Sequence, residues 1–226
     1  KALTIFGTNS VGVNSNMNGT LIINGGDFTN TGLYFGGART ATLVATNGAQ
    51  VYTPNTTGTY FTVQSSVLLV GTNTGNGMVS GWDFGGGTAI LNNADMTING
   101  TIVSNAACMV VGGSLIAASV NSSATITNGG RLFSARGIVG NGQVNGVKAT
   151  NCLVTIAGAD SGSGRNSTWD LGGGELYIGA ENNAGGGALA NSNRVIVGGG
   201  GVVTNVGALS LGASQGGAYG ALIVTN

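Results

Sequence analysis

Histidine is absent from this chain, proline occurs once, at Pro54, and the charges come to seven Lys and Arg against seven Asp and Glu in 226 residues. Without histidine, the commonest general base near neutral pH and the commonest metal ligand are both missing. A net charge of zero leaves no basic footprint for nucleic acid and no acidic field for cations. Cysteine is scarce too: Cys108 and Cys152 stand 44 residues apart, outside any CxxC, and read as free buried thiols serving as small apolar residues. Long hydrophobic runs are also lacking. The most apolar stretch, 103–120, is interrupted by Ser104, Asn105, Gly112, Gly113 and Ser114, so it cannot span a bilayer as a helix. No 12-residue window keeps a 3.6-residue apolar period free of glycine. What is abundant is glycine, 45 residues of it, among Val, Ile and Leu that alternate with Thr, Ser and Asn. Too many aliphatic side chains are present for a disordered chain, and their alternation describes β-strands.

The run 70–83 (VGTNTGNGMVSGWD) returns as 157–170 (AGADSGSGRNSTWD), with Trp169 placed 87 residues after Trp82. Gly71/Gly158, Gly75/Gly162, Gly77/Gly164 and Asp83/Asp170 coincide, and both copies continue into three glycines. Shorter signals recur as well. Asn-Gly follows an apolar or Thr-ended run at Asn24-Gly25, Asn47-Gly48, Asn99-Gly100 and Asn128-Gly129, where positive φ allows a tight corner. An alternating strand follows, as in Gln50-Val51-Tyr52 and Arg131-Leu132-Phe133. A third signal, G-x-L-x-[I/L]-G, occurs at 174–179 and 207–212, with a variant at 31–36.

Asn24, Asn47 and Gly71 lie about 23 residues apart, the length of one coil of a three-faced solenoid. The fold expected is all-β: a single domain, 1–226, forming a right-handed parallel β-helix of about ten coils. Its rod would be about 45 Å long at roughly 4.8 Å per coil. The closing Thr225-Asn226 repeats an internal motif, and joined to Lys1-Ala2-Leu3-Thr4-Ile5-Phe6-Gly7 it reads like Thr204-Asn205-Val206-Gly207-Ala208-Leu209-Ser210-Leu211-Gly212. The expectation is a segment of a longer chain or a fibre subunit, joined head to tail to copies of itself.

The pattern in 153–179 (LVTIAGADSGSGRNSTWDLGGGELYIG) and 195–212 (VIVGGGGVVTNVGALSLG), with weaker copies over most of 20–113, resembles the repeat of autotransporter passengers and PEP-CTERM-associated surface proteins. That resemblance implies a right-handed β-helix displayed on, or released from, a bacterial surface, and export is implied by it alone.

No residue emerges as catalytic, cofactor-binding or metal-ligating. Asp83 and Asp170 are repeat equivalents, and a residue that recurs with its turn reads as a cap on backbone N–H groups. Trp82 and Trp169 read as packing over a neighbouring coil in preference to stacking on sugars. Asp160 and Glu181, 21 residues apart, could stack on adjacent coils but lack a convergent base or cation. Gly25-Gly26-Asp27 is the nearest approach to a calcium β-roll motif and occurs once, and the glycine runs lack the Lys-Ser/Thr of a phosphate loop. Sequons at Asn18, Asn55, Asn99, Asn121 and Asn166 match what the composition yields by chance. The function expected is a non-catalytic extracellular structural solenoid in a surface fibre or stalk, without cofactor. Its partners would be its own copies, with surface glycans or other cells as further candidates. Three alternatives stand beside it: an autotransporter-like adhesin passenger, a polysaccharide-degrading β-helix enzyme, and an ice- or crystal-face binder, which would need a regular Thr-x-Thr rank.

Overall fold

The computed structural model describes residues 2–11, 19–35, 41–53, 60–63, 66–70, 77–113, 119–141, 148–179, 190–212 and 219–226. Among the described residues there is no helix, and the strands pair in parallel. The exception is one antiparallel bridge, Ala159 to Asn166.

Two large sheets hold nearly all strands. An eight-stranded sheet runs through Gly19–Asn24, Ala41–Thr46, Ser66–Val70, Asp95–Asn99, Ser123–Thr127, Leu153–Ala157, Asn193–Gly198 and Gly220–Val224, in that order. A fourteen-stranded sheet divides at Asp27–Phe35, along which Ala2–Val11 also pairs. Its first arm continues through Gln50–Tyr52, Gly81–Asp83, Ile102–Ala106, Arg131–Ser134, Thr168–Asp170 and Val202–Thr204. Its second arm continues through Tyr60–Val63, Thr88–Leu91, Cys108–Gly113, Gly137–Asn141, Glu175–Ile178 and Ala208–Leu211. The chain visits the eight-stranded sheet, the first arm and the second arm in turn, then returns, so each pass lays one strand on each.

The return interval is not the constant 23 residues expected. Register partners in the eight-stranded sheet are 22 residues apart at Leu21 and Leu43 but 41 apart at Val154 and Val195. Strands keep their length while connections grow, and eight strands use the chain that about ten coils would have needed. The hairpin around the Ala159–Asn166 bridge is one such enlarged connection.

Alternation decides which side chains meet. In Ser123–Thr127, Ala124 and Ile126 are buried while Ser123, Thr125 and Thr127 face outward. Register then stacks like on like: Ile98, Ile126, Ile156 and Val197 form one buried column, and Val51, Trp82, Val103, Leu132 and Trp169 another on the first arm. Leu91, Val111, Val139 and Ile178 form a third on the second arm. All belong to one apolar core, in which each fully buried Leu, Ile or Val contributes roughly 1.5–3 kcal/mol. The two G-x-L-x-[I/L]-G motifs lie side by side, Leu176 against Leu209 and Ile178 against Leu211. Ile90, Val110 and Ile138, on the outward side of the second arm, are also buried and form a second small cluster with Cys108 and Tyr177.

Corners follow asparagine and glycine, though not always at the residue expected. Asn47 and Asn128 take positive φ with Gly48 and Gly129 behind them. Asn24 and Asn99 instead end their strands, and the positive φ passes to Gly25, Gly26 and Gly100. Asn93, Asn105, Asn121, Asn151 and Asn205 also adopt the left-handed conformation without a following Asn-Gly signal. Gly71 lies outside the described residues.

Candidate functional site

The two repeat aspartates are corner residues, as their recurrence implied. Asp83 Oδ1 accepts from the Gly85 N–H at 2.7 Å and from Asn105 Nδ2 at 3.1 Å. Asp170 Oδ1 accepts from the Gly172 N–H and from Asn205 Nδ2, both at 2.9 Å. The same asparagines, one strand further on, accept through their carbonyls from Gly86 (2.7 Å) and Gly173 (2.6 Å). Each aspartate therefore ties its own turn to the next layer. Three strand steps separate the pair, about 14 Å at the usual strand spacing. Paired carboxylates that hydrolyse glycosides sit about 5–9.5 Å apart, so these two do not form such a dyad.

Trp82 and Trp169 point into the core and are fully buried, out of reach of any sugar. Each indole N–H donates to a hydroxyl one layer earlier: Trp82 to Thr53 Oγ1 at 3.1 Å, Trp169 to Ser134 Oγ at 2.9 Å. The serine two residues before each Trp accepts from the glycine of an Asn-Gly corner, Ser80 from Gly48 and Ser167 from Gly129. Trp82 also stacks on Phe84, centroids 4.8 Å apart. The indole of Trp169 reaches across to the second arm, beneath Gly137.

These contacts define a three-layer module present twice. Its first layer is Val51-Tyr52-Thr53, matched by Leu132-Phe133-Ser134. Its second is Trp82-Asp83, matched by Trp169-Asp170, and its third is Val103-Ser104-Asn105, matched by Val203-Thr204-Asn205. On the outward side of the first arm two registered sets follow one another, Tyr52, Asp83, Ser104 and then Phe133, Asp170, Thr204, with a register shift just after the Val103–Leu132 pair that joins them. The aromatic members were not singled out in the sequence. Tyr52 is 41% exposed, and Phe133 is half-buried with the Arg131 guanidinium 4.7 Å from its centroid. Beside Phe133 an open notch is lined by Asn105, Ser134, Ala135, Asp170 and Asn205.

Other candidates resolve into local structure. Asp160 is partly exposed, and its carboxyl lies below the usual carboxylate range, held there first by the backbone and side-chain hydrogen bonds of Ser163 and then by the Gly162 N–H. It closes a hairpin whose Arg165 Nε donates to the Gly129 carbonyl at 3.0 Å. Glu181 lies outside the described residues, as do two of the Thr-x-Thr triplets of the sequence, 57–59 and 72–74. Cys108 and Cys152 are both free, but only Cys152 is buried, and burial pushes its thiol up to about 11. Among the described residues no group of three or more Cys, Asp or Glu is placed to hold a metal ion. One cluster went unnoticed in the sequence: Tyr177 donates to Glu175 Oε2 at 2.9 Å, Arg136 Nε lies 3.5 Å from that oxygen, and its guanidinium stacks over the Tyr177 ring.

On the outward side of the eight-stranded sheet, Thr97, Thr125, Thr155, Ile196 and Ile223 stand in one register row, which Ile22 and Val44 share at its other end, with threonine on three strands. No described helix is long and apolar enough to cross a membrane. At the last strands the core columns emerge uncovered. Leu209 and Leu211 are 46% and 49% exposed and Val224 is 74% exposed, although Leu176, Ile178 and Val197 beneath them are buried.

Comparison with protein-family models, with curated proteins and with solved structures finds no match to this chain.

Proposed function

We propose that this chain is a non-catalytic structural β-solenoid of an extracellular bacterial fibre or stalk, extended head to tail by further layers of the same kind. The cyclic visiting order, the parallel registers and the single core drawn from both sheets support a parallel β-helix. A right-handed winding follows from the general preference of parallel crossovers. The observation that carries the reading is the like-on-like stacking of the buried columns from strand to strand, which further layers of the same kind would continue. The exposed Leu209, Leu211 and Val224 would offer such a layer an apolar surface, and a chain of zero net charge offers little repulsion against it. The extracellular, bacterial setting rests on the resemblance to autotransporter and PEP-CTERM-associated repeats.

Electron microscopy and fibre diffraction of the purified protein test this. Expected are rods much longer than one chain, with an axial reflection near 4.8 Å, shortened to single units by Leu211→Lys or Val224→Lys. A wild-type protein that stays monomeric at millimolar concentration would overturn the head-to-tail reading.

A further inference from the structure

The outward side of the first arm places an aromatic ring, a carboxylate and a hydroxyl on three successive strands, Tyr52, Asp83 and Ser104, and again on the next three, Phe133, Asp170 and Thr204; the two sets join at the Val103–Leu132 pair, just after which the register shifts. We infer that the two sets form a binding strip for a neutral, extended polysaccharide lying along the strand-stacking direction, with Tyr52 and Phe133 as its two platforms. The rings stand three strand steps apart, about 14 Å, an interval that only a polymer or a long oligomer can bridge.

The chemistry of each half fits a polyhydroxylated ligand. An aromatic side chain offers an apolar face against which the C–H side of a pyranose packs, and Tyr52 adds a hydroxyl at its rim. The neighbouring carboxylates accept hydrogen bonds from sugar hydroxyls. Asp83 and Asp170 use Oδ1 for their corners, and among the described residues their second oxygens take no hydrogen bond. Asn105 and Asn205 likewise commit their Nδ2 groups to those aspartates, which turns amide nitrogens away and leaves an acceptor-rich rim. At Phe133 the ligand would meet a ring already paired with Arg131, and the notch beside it, walled by Ala135, Asp170 and Asn205, gives a sugar somewhere to sit. An acidic polymer would face two carboxylates, so the neutral class is the one selected.

Repetition argues for a polymer. One exposed ring is unremarkable on any surface. Two rings, each followed by Asp in the next layer, match a ligand that is itself periodic, and linking two weak subsites raises overall affinity without new contacts. This reading does not depend on head-to-tail growth, because a single rod carries both rings.

Calorimetry with soluble β-1,4-gluco-, β-1,4-xylo- and β-1,3-gluco-oligosaccharides of increasing length tests the inference, with polygalacturonate as the acidic counter-probe. At least one neutral series should bind, with affinity rising until the chain spans both rings. Tyr52→Ala and Phe133→Ala should each weaken it about tenfold, while Thr155→Ala on the other sheet should not. Both aromatic side chains point outward, so the variants should keep the wild-type β-sheet spectrum and melting behaviour, checked alongside. Absence of binding to every neutral series, preference for polygalacturonate, or undiminished binding by the Tyr52→Ala/Phe133→Ala double variant would each overturn the inference.

Discussion

Gly137 is the place where the two arms of the large sheet compete for the same volume. A Cβ there would lie 2.5 Å from Trp169 Cζ2, 2.8 Å from Cη2 and 3.0 Å from Leu176 Cδ1. Gly137 carries no positive φ, so the constraint is space and not backbone conformation. The indole cannot easily retreat, because its Nε1 is fixed to Ser134 and it is enclosed on all sides. Gly137→Ala should therefore overpack the core and cost about 1–3 kcal/mol. In a chain of this length each kcal/mol lowers the melting temperature by about 2–4 °C. Trp169→Phe removes the part of the indole that holds Cζ2 and Cη2, and alone should also cost about 1–3 kcal/mol through the lost volume and the stranded Ser134 hydroxyl. In the double variant the methyl group occupies space the indole has vacated, so the two penalties should fall short of their sum by at least 1 kcal/mol. Denaturant titrations of wild type, both single variants and the double variant complete the cycle. Additivity within about 0.5 kcal/mol, or a neutral Gly137→Ala, would show that Trp169 does not fill the space beneath residue 137.

Gly129→Val should be severe, more than about 2 kcal/mol, because it combines positive φ with a Cβ 2.7 Å from Asp160 Cβ and 2.8 Å from the Arg165 carbonyl. Asn24→Val, at an exposed strand end, should shift melting by no more than about 0.5 kcal/mol; equal effects at the two sites would refute the corner assignment. Cys152, buried and with its thiol raised from 9.0 to about 11, should resist alkylation at pH 8 in the folded protein, whereas Cys108 reacts and unfolding exposes both. A folded-state value above the unfolded one means that its contribution is fully present below pH 9 and is lost as pH rises towards 11. Peptide mapping and melting curves across that range read both effects, and prompt labelling of native Cys152 would contradict its burial.

Much of the fold was legible because the same forces act on every pass. The alternation Ser123-Ala124-Thr125-Ile126-Thr127 states which side is buried, and Asn47-Gly48 and Asn128-Gly129 state where the chain turns. Asp83 and Asp170 were readable as caps because a turn carries its cap with it. The interval between layers was not readable, since connections such as the Asp160 hairpin enlarge a pass without changing a strand. The same variability hid the module. Trp82 and Trp169 share an offset of 87 residues, but Val51 and Leu132 differ by 81 and Val103 and Val203 by 100. A search at one offset therefore finds only the middle layer, and although Gln50-Val51-Tyr52 and Arg131-Leu132-Phe133 are legible as like strands after an Asn-Gly corner, nothing ties them to the Trp-Asp layer that follows. The left-handed Asn105 and Asn205 were missed for a different reason: the carbonyls they present serve the glycines of the preceding layer, a demand that no local motif announces.

The three-layer module also sets a quantum of length. Removing residues 81–167 would bring Thr168-Trp169-Asp170 directly after Ser80 and beside Gln50-Val51-Tyr52, where Gly81-Trp82-Asp83 had been. Thr53 would again receive an indole N–H, Asp170 would again close a triple-glycine turn, and Asn205 would stand where Asn105 stood. Removing one layer or two would set Trp against the wrong hydroxyl and break the alternation of rings and carboxylates along the outside. The first arm can thus be shortened or lengthened in steps of three layers with its indole, carboxylate and asparagine contacts kept, whereas the second arm must adapt, because Phe61 would take the register position opposite Leu176 that Gly137 holds.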